Sequence, residues 1–486
     1  MQSQRKIFFL LTFLAVLGAA AGCGGKKGVD PANFPPPNPY LADSPWPMAH
    51  GNPYIQASSP LPGPTGQEEI GVDFLAAELP SAILVYSGPY PDGRRALWGS
   101  NPLEVFKVDP GPPRMRYVDR RPKPGLSSSL IAGVYILIDL DGTLFVPTEA
   151  GLDAYGDEVP GDPESRIALR SSFALAPAEH QGPVVGINLT YDGWVAFATS
   201  GGTVGVVARD FSDYRLLQLG PDDEVSNSIA VDEQGGIYVV TSQKMYRVQW
   251  TGTELTLDPA AGAWTADYEA GGDPAAGRLG KGSGSTPTVM GTGGMDKFIV
   301  ITDGQELMHL VFFWKDGIPP DWSPIAPGKD PRIAAEVPVT FGDPNATSSV
   351  SEQSVLVYGY GAVVVNNDYG TDESGMGAVI SGAAALGVEK FVWDPETRKL
   401  ESVWANPEIP CPNGIPSMSA ATGLAYCIGK RGSDWTLEGI DWETGASVFS
   451  QVTGSTNAYN SAYAAAEIGP DRNVISGTLQ GIVNVR

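Results

Sequence analysis

The stretch Asp141-Gly-Thr-Leu-Phe-Val-Pro-Thr-Glu-Ala-Gly-Leu-Asp-Ala-Tyr155 contains two short apolar segments, and a turn signal precedes each of them. Glycine and aspartate suit such turns because the backbone needs positive φ or a hydrogen bond from a nearby side chain. A small polar break separates the two apolar segments. Taken alone, the stretch predicts a β-hairpin.

The same pattern recurs along the chain, at residues 192–207, 234–248, 422–441 and 470–485. An apolar strand precedes most copies and a more polar strand follows several of them, so the repeating unit is four antiparallel strands. Copies start roughly 42 to 66 residues apart, which is typical of propeller blades with loops of variable length. The opening stretch is therefore one copy of a repeat.

Counting the units predicts an all-β fold with a single β-propeller of eight four-stranded blades. Seven blades is the alternative if one weak unit is miscounted. The units are residues 83–121, 129–175, 184–219, 228–257, 288–314, 354–404, 417–452 and 462–486. The last unit has only three strands, and residues 69–75 near the N-terminus are expected to supply the fourth. Joining both chain ends in one blade removes exposed sheet edges.

Composition supports this fold and limits the partners. The chain has 60 glycines and 42 prolines among 486 residues, and 42% of its residues are hydrophobic. That combination favours short strands, many turns and a sizeable core. The formal charge of −24 argues against nucleic acid, because binding phosphates requires clustered lysine and arginine.

The N-terminus predicts export and a membrane anchor. Residues 1–22 have the charged, apolar and small-residue regions of a signal peptide. Ala20-Ala-Gly-Cys23 resembles the bacterial lipobox, which implies a lipidated Cys23, and ordinary signal cleavage is the alternative. Residues 23–47, rich in proline, are expected to form an extended tether, and residues 48–486 the propeller. The predicted protein is a membrane-anchored lipoprotein at the outer membrane, in the periplasm or on the cell surface.

The remaining cysteines, Cys411 and Cys427, are predicted to form a structural disulfide. An exported protein meets an oxidising environment, and this bond would close a loop of about fifteen residues, worth about 3 kcal/mol.

Two stretches resemble the quinoprotein-like (PQQ-like) propellers. Trp46-Pro-Met-Ala-His-Gly-Asn52 is similar to their lead-in, and the core of residues 141–154 is similar to their repeat. The resemblance implies the propeller fold over residues 46–486. True quinoprotein dehydrogenases hold PQQ with adjacent cysteines, and this chain has none, so PQQ is not expected and no other cofactor is indicated.

A second resemblance concerns Val225-Ser-Asn-Ser-Ile-Ala-Val-Asp-Glu-Gln-Gly-Gly-Ile-Tyr-Val239, which is similar to a motif of calcium-dependent lactonase and strictosidine-synthase-like propellers. That family binds a calcium ion in the channel through the asparagine, which implies a calcium role for Asn227. Glu352 and Asn366 are the further candidate ligands, since calcium takes several oxygens. Asp303 or His309 would then handle protons. A calcium-assisted hydrolase or lactonase is therefore the alternative function.

Few other catalytic patterns are present. The chain has three histidines, never paired on one element, and it lacks both a Gly-x-Ser-x-Gly elbow and a phosphate-binding Gly-rich loop. Small hydroxyl and amide residues recur where the innermost strands begin, at residues 127–129, 226–228, 351–354, 417–419 and 459–461. They either form a site at the channel or cap exposed backbone groups.

Residues 303–345 depart from the regular pattern and suggest a long functional loop. Its aromatic and charged residues could line a binding surface or only pack beneath the loop; those chosen as candidates are Trp314, Asp316, Trp322 and Arg332. The favoured function is a binding or scaffold module that recognises a protein partner or a small molecule with its loop-rich channel face. Whether the protein is an enzyme stays open.

Overall fold

The repeated turns and short apolar strands fold into eight antiparallel sheets, each forming one blade. The computed structural model describes residues 29–486, apart from residue 82 and residues 125–132, 273–277, 279, 371–374 and 412–413. The first strands of neighbouring blades contact one another, so these strands surround a central channel. The predicted eight-bladed propeller is confirmed.

Blades 1 to 4 are numbered in chain order. Blade 1 contains Leu84–Tyr86, Leu97–Ser100, Glu104–Asp109 and Arg116–Pro122, and blade 2 contains Leu137–Ile138, Leu144–Pro147, Gly151–Asp157 and Ile167–Ala174. Blade 3 contains Val184–Leu189, Trp194–Thr199, Thr203–Ala208 and Tyr214–Gln218. Blade 4 contains Ala230–Val231, Gly236–Val240 and Lys244–Trp250, followed by two short strands, Leu255–Thr256 and Trp264–Asp267, that both pair with the third.

Blades 5 to 8 complete the ring. Blade 5 contains Thr288–Met290, Phe298–Thr302, His309–Trp314 and Ile333–Pro338, and blade 6 contains Leu356–Tyr358, Gly361–Val365, Val388–Asp394 and Lys399–Asn406. Blade 7 contains Ser417–Ser419, Leu424–Arg431, Asp434–Asp441 and Ser447–Gly454, and blade 8 contains Glu467–Ile468, Val474–Thr478, Gly481–Val485 and Val72–Ala76. The described helices are the α-helix Gly375–Ser381 and the 3-10 turns Pro31–Asn33, Pro259–Ala261 and Asn457–Tyr459.

Blade 8 joins the two ends of the chain as the sequence predicted. Val72–Ala76 pairs antiparallel with Gly481–Val485, with Val72 opposite Val485. The ring is therefore closed by ordinary strand hydrogen bonds between segments from the two ends of the chain, and Val72–Ala76 is the outermost strand of blade 8.

One predicted boundary is wrong. The long insertion expected after Trp314 contains the fourth strand of blade 5, Ile333–Pro338, which pairs with His309–Trp314. This strand is partly exposed and includes the polar Glu336, so it lacks the apolar run that marks inner strands. The irregular segment is consequently the shorter loop 315–332.

The segment 46–59, hereafter the belt, encircles one end of the channel. Its backbone carbonyls accept hydrogen bonds of 2.9 to 3.0 Å from the first strands of six blades; the donors are the amides of Tyr86, Ile138, Val231, Val289, Val357 and Met418. Blade 3 joins through the side chain of Asn188, whose Nδ2 donates to the carbonyl of Pro53. Because the belt meets the second half of the first strands, it closes the channel where these strands end. We call this the closed end, and the opposite end the mouth.

The belt follows this tight circle with unusual backbone angles. His50, Ile55 and Ala57 have φ of 60°, 62° and 55°, a region that disfavours residues with a Cβ and especially branched ones. Trp46, His50 and Ile55 are each at most 1% exposed. Burial and the carbonyl hydrogen bonds hold the belt in a conformation that its local sequence disfavours.

The described part of the predicted tether lies on the closed end. The Nδ2 of Asn38 donates to the carbonyls of Leu189 and Thr190 in blade 3, and the Leu140 amide of blade 2 donates to the Tyr40 carbonyl. Residues 29–47 therefore do not extend away from the propeller, because their backbone and side-chain polar groups are bound to its turns. The signal peptide and Cys23 lie outside the described residues, so they stay predictions.

Neighbouring blades are also tied together at the closed end. In four consecutive pairs, an aspartate in the turn after the first strand accepts a bond from the next blade; the pairs are Arg209–Asp139, Trp250–Asp192, Lys315–Asp232 and Trp393–Asp296. The donor–acceptor distances are 2.7 to 3.0 Å. The aspartates that mark the repeat in the sequence therefore organise their own turn and also bind the neighbouring blade.

The predicted disulfide is present between Cys411 and Cys427, with the two Cα atoms 5.7 Å apart. It links the approach to blade 7 with the second strand of that blade. No helix among the described residues is long and apolar enough to span a membrane.

Candidate functional site

A cavity of about 410 Å³ opens at the mouth of the channel. Its wall comes from the segments that lead into the first strands of several blades and from loops between second and third strands. Cavities of this size take drug-sized ligands in other proteins. Of the five segments that the sequence indicated, 226–228 and 351–354 contribute residues to this concave site, whereas 417–419 and 459–461 do not. Residues 127–129 lie outside the described part of the chain.

One side of the cavity is mostly apolar. It is built by blades 1, 2, 7 and 8 and by the helix Gly375–Ser381. Its apolar lining side chains include Leu79, Ile83, Leu103, Val134, Ile380, Ile415 and Leu479, and Ser100 and Asn101 of blade 1 are polar residues on the same side. Most of these residues come from loops and not from strands. An apolar group of a ligand would bury its surface here at a gain of about 25 cal/mol per Å².

The other side is polar and comes from blades 4 and 6. Ser226 and Asn227 precede the first strand of blade 4, and Glu352, Gln353 and Ser354 precede that of blade 6. The Nδ2 of Asn227 donates to the carbonyl of Ser283 at 2.8 Å, which fixes its side chain. The amide of Glu352 donates to Oδ1 of Asn367 at 2.8 Å, which fixes the backbone beside the cavity.

Gln353 is the exceptional residue of the polar side. It is 2% exposed, yet neither its Oε1 nor its Nε2 has a hydrogen-bond partner among the described residues. A buried polar atom without a partner costs about 1–3 kcal/mol, so most buried amides in folded proteins are paired. Gln353 thus keeps its amide NH2 group and its amide oxygen unpaired at the cavity wall.

The rim of the cavity carries backbone strain. Ala462 and Tyr463, which both line it, have φ of 46° and 67°. Non-glycine residues adopt such angles at a cost of about 1–3 kcal/mol, and strain of this kind is concentrated at functional sites. The strain places the Tyr463 side chain at the cavity, and burial raises the pKa of that side chain above its ordinary range.

Beneath the cavity lies His50 of the belt. Its Nε2 is 3.4 Å from Oγ of the cavity residue Ser354, and its Nδ1 has no partner in the part of the chain that the structure describes. Complete burial lowers the pKa of His50 to about 4. The imidazole is therefore neutral at neutral pH, and the belt separates the cavity from the closed end of the channel.

The structure brings together two of the three predicted calcium ligands. Asn227 and Glu352 both line the cavity, whereas Asn366 does not. Instead, the Nδ2 of Asn366 donates to the carbonyl of Leu386 and its Oδ1 accepts from the amide of Asp368. Asn366 therefore stabilises its own loop, as asparagine commonly does in turns.

Asp303 and His309 lie together, but they do not line the cavity. The Nδ1 of His309 is 3.0 Å from Oδ2 of Asp303, and Glu336 completes a group whose ligand atoms lie within 4.8 Å of one another. Gln305 Nε2 donates to Asp303 at 2.8 Å, and Lys329 Nζ donates to Glu336 at 2.8 Å. Side-chain donors already occupy this cluster, so we assign it to the stability of the blade 5 rim.

The four predicted binding-loop residues lie at the closed end. Trp314 is buried and packs on Trp322, with ring centroids 5.3 Å apart. Arg332 donates to the carbonyls of Trp314 and Asp316 at 2.7 and 2.8 Å. These contacts are internal packing of the loop 315–332, and none of the four residues lines the mouth cavity.

The sequence interpretation missed the apolar half of the cavity. Leu79, Leu103 and Leu479 are in loops whose positions depend on how the ring closes, and Tyr463 depends on an unfavourable φ. Gln353 stood inside the recognised segment 351–354, but its unpaired amide depends on the three-dimensional packing. The sequence did contain a pattern that indicates the apolar wall, because large apolar residues follow the second strands of blades 1 and 8.

The fold and the cavity define a β-propeller with a closed end and a ligand-sized mouth. No protein-family model matches the chain. An uncharacterized protein of Archaeoglobus fulgidus is 44% identical over 469 residues, which cover 93% of this chain and 89% of the relative. The chain belongs to the same family as this archaeal protein.

Several solved structures share the propeller arrangement at low sequence identity. A streptogramin B lyase matches with 8% identity and a TM-score of 0.42, covering 86% of this chain and 97% of the lyase. BamB from Moraxella catarrhalis matches with 9% identity and a TM-score of 0.41, covering 70% and 95%. The computationally designed Ika8 protein matches with 11% identity and a TM-score of 0.48, covering 85% and 99%. Likenesses at this level carry no argument about the ligand.

Proposed function

We propose that this protein is a binding protein that holds a small molecule in the mouth cavity. The observation that carries the proposal is the unpaired, buried amide of Gln353 at the wall of a 410 Å³ cavity. A ligand with matching polar atoms would remove the cost of leaving this amide without partners. The apolar wall opposite would supply affinity by burial.

The belt supports binding in place of transport through the channel. Its carbonyls are bonded to the first strands around the ring, and its side chains are buried. A ligand would enter and leave by the mouth alone. Affinity would then depend on the cavity wall and on the loops of the mouth.

A hydrolase using the cavity is less well supported. Ser354 and His50 are within reach of each other, but no third group orients the imidazole, because its Nδ1 has no partner. A base with a pKa of about 4 is also too weak to activate a serine efficiently near neutral pH. The pair therefore has a structural role in this proposal.

The calcium alternative draws on too few side chains. Asn227 and Glu352 line the cavity while Asn366 and Asp303 do not, and calcium takes about six to eight oxygen ligands. We therefore derive no step through calcium. Tight, stoichiometric calcium in the purified protein that disappears in Asn227→Ala would favour the alternative over small-molecule binding.

Export and lipidation at Cys23 remain part of the proposal, and we propose an orientation for the anchored protein. The described chain begins at the closed end, and six residues lead from Val29 back to Cys23, a reach of at most about 20 Å. An anchored protein would keep its closed end near the bilayer and its mouth facing away. The mouth is then free for a soluble ligand or for a protein partner.

Two exposed leucines test this orientation. Leu140 at the closed end is 48% exposed and Leu103 at the mouth is 45% exposed, so a dye on Leu140→Cys or Leu103→Cys meets similar solvent. Lipid-attached quenchers in vesicles should quench the dye at position 140 more strongly. Equal quenching, or stronger quenching at position 103, would overturn the orientation.

The neutral fluorescent probe N-phenyl-1-naphthylamine tests the site itself. Val134 lines the cavity, and Val159 is a 56% exposed valine outside it. Val134→Trp should fill the cavity and weaken binding of the probe to the full-length protein by about tenfold or more, while Val159→Trp should not change it. Equal binding by both variants would contradict the proposal.

A further inference from the structure

The amine of Lys123 lies beside the mouth cavity. The backbone amide of Lys123 donates to the carbonyl of Leu103 at 2.8 Å, and Leu103 lines the cavity. The Nζ lies over Gly133, where an added Cβ would be 2.6 Å from it. Gly133 directly precedes Val134, which also lines the cavity. The missing side chain of Gly133 therefore leaves the space that the amine occupies, next to the wall from blades 1 and 2.

This amine is poorly compensated. The Lys123 side chain is half-buried, and its Nζ forms no ion pair among the described residues. The nearby carboxylate of Asp153 already accepts hydrogen bonds from the hydroxyls of Ser172 and Tyr155. Burial lowers the pKa of Lys123 to about 8, although the charge of Asp153 acts in the opposite direction. At pH 7.5 the neutral, nucleophilic form is then about two hundredfold more abundant than in an ordinary lysine.

Ser100 adds a hydrogen-bonding group at the same place. Its Oγ lies 3.6 Å from the position of an added Cβ on Gly133, and Ser100 lines the cavity. Ser100 is 1% exposed, and its Oγ has no hydrogen-bond partner within the described chain. Such a hydroxyl is costly to leave unpaired, and it can donate to an oxygen atom of a ligand. A nucleophile and a hydrogen-bond donor therefore meet at this side of the cavity.

We propose that Lys123 binds an aldehyde covalently, as an imine, with the apolar chain of the aldehyde in the mouth cavity. This inference rests on the proposed function and names the class of ligand. The Nζ lone pair forms a bond to the carbonyl carbon while Ser100 donates to the carbonyl oxygen. The two amine protons leave with that oxygen as water, which leaves a C=N double bond and requires no oxidant or further reactant.

The cavity wall next to Lys123 suits the chain of such a ligand. Leu79, Leu103 and Val134 are apolar residues on this side, and burial of an alkyl chain against them would supply affinity. Formation of an imine needs no leaving group, and an aldehyde has the least hindered carbonyl carbon. The bond is also reversible in water, which agrees with a binding protein.

Reductive trapping tests this inference on the full-length protein. Octanal and sodium cyanoborohydride at pH 7.5 convert each imine into a stable alkylated lysine, and peptide mapping by mass spectrometry locates it. Lys399 is an exposed lysine on the outermost strand of blade 6 and serves as the internal reference. Lys123 should be alkylated about tenfold faster than Lys399, because its larger neutral fraction outweighs the lower nucleophilicity of a weaker base.

Three variants connect the reaction with the amine and with the cavity. Lys123→Arg, which removes the nucleophile and keeps the charge, should lose the fast reaction, whereas Lys399→Arg should keep it. Val134→Trp should slow octanal at Lys123 to the rate of Lys399, because it fills the cavity. Formaldehyde, which has no chain to place in the cavity, should still react fast at Lys123 in that variant. Val159→Trp, outside the cavity, is the matched control.

The outcomes separate this inference from the proposed function. If Lys123 reacts no faster than Lys399 while N-phenyl-1-naphthylamine binds, the aldehyde inference is wrong and the cavity still binds small molecules. If Val134→Trp does not slow octanal, the amine reacts outside the cavity and the inference is overturned as well. If neither probe binding nor fast alkylation occurs, both proposals are overturned. Should Val134→Trp not fold, N-phenyl-1-naphthylamine must compete with octanal on the unaltered protein, and lack of competition contradicts the inference.

Discussion

The closed end and the mouth of the channel differ in how their polar groups are hydrogen bonded. At the closed end, the belt carbonyls are hydrogen bonded around the ring and the aspartates of the turns bind the next blade. At the mouth, Gln353 is buried without partners and two consecutive non-glycine residues are strained. Both ends contain strained residues. The comparison teaches that the strain at the closed end is held by hydrogen bonds around the ring, whereas the strain at the mouth lies beside a ligand-sized cavity.

Substitution of Trp46 should have the largest effect on stability. Trp46 is 1% exposed and its ring packs on Gly51 of the belt, so Trp46→Ala should lower the free energy of unfolding by about 3–5 kcal/mol. Leu103→Ala at the mouth should cost less than about 1 kcal/mol because that side chain is already exposed. Urea denaturation of both variants measures the difference. Equal losses would contradict the assignment of stability to the closed end.

His50 should make the closed end sensitive to acid. Burial lowers its pKa in the folded protein from 6.5 to about 4, so the unfolded chain binds a proton first as the pH falls. Stability should be unaffected by this group above pH 6.5 and should fall by about 3 kcal/mol between pH 6.5 and 4. In His50→Gln, the free energy of unfolding, measured by urea denaturation, should fall less steeply between pH 6.5 and 4 than it does in the unaltered protein. An unchanged slope would show that His50 is accessible to protons in the folded state.

At the mouth, substitution of Gln353 should raise the stability of the protein and weaken its binding of a ligand. Gln353→Leu removes two unpaired buried atoms, so without ligand the variant should be more stable by about 1–2 kcal/mol. The same variant should lose affinity for N-phenyl-1-naphthylamine. A loss of stability in Gln353→Leu would mean that the amide has a structural partner, and the binding role would then fail.

His309 should make the smallest contribution to the free energy of unfolding. Its contribution should be lost as the pH rises, whereas His50 lowers stability as the pH falls. The hydrogen bond to Asp303 raises the pKa of His309, so its contribution is present below pH 6.5 and is lost as the pH rises through the folded-state pKa. Because the side chain is partly exposed, the contribution should be less than about 1 kcal/mol. NMR titration of the two histidines would compare them directly. A pKa of His309 below 6.5 would contradict the assigned cluster.

Much of the fold could be predicted because the repeat is local. Each hairpin carries its own turn residues and apolar strands, so the eight units could be counted and the joining of the chain ends inferred. The fourth strand of blade 5 could not be found, since outer strands are half-exposed and Ile333–Pro338 lacks a clear alternation.

The belt and the cavity depend on distant contacts. The belt is bonded to residues up to several hundred positions away in sequence, and its positive φ at Ile55 contradicts the local preference. Asn227 and Glu352 were indicated because they precede first strands, but the apolar half of the cavity follows from ring closure. Asp303 or His309 was expected to handle protons, whereas the geometry of the cluster that they form with Glu336 favours a stabilising role.

The most direct test of the difference between the two ends is photoaffinity labelling with a derivative of N-phenyl-1-naphthylamine that carries a diazirine. Peptide mapping should find the label on mouth residues, in particular near Leu103, Val134 and Leu479, and unlabelled N-phenyl-1-naphthylamine should compete with it. Label on belt residues 46–59, or label spread evenly over the surface, would contradict the account.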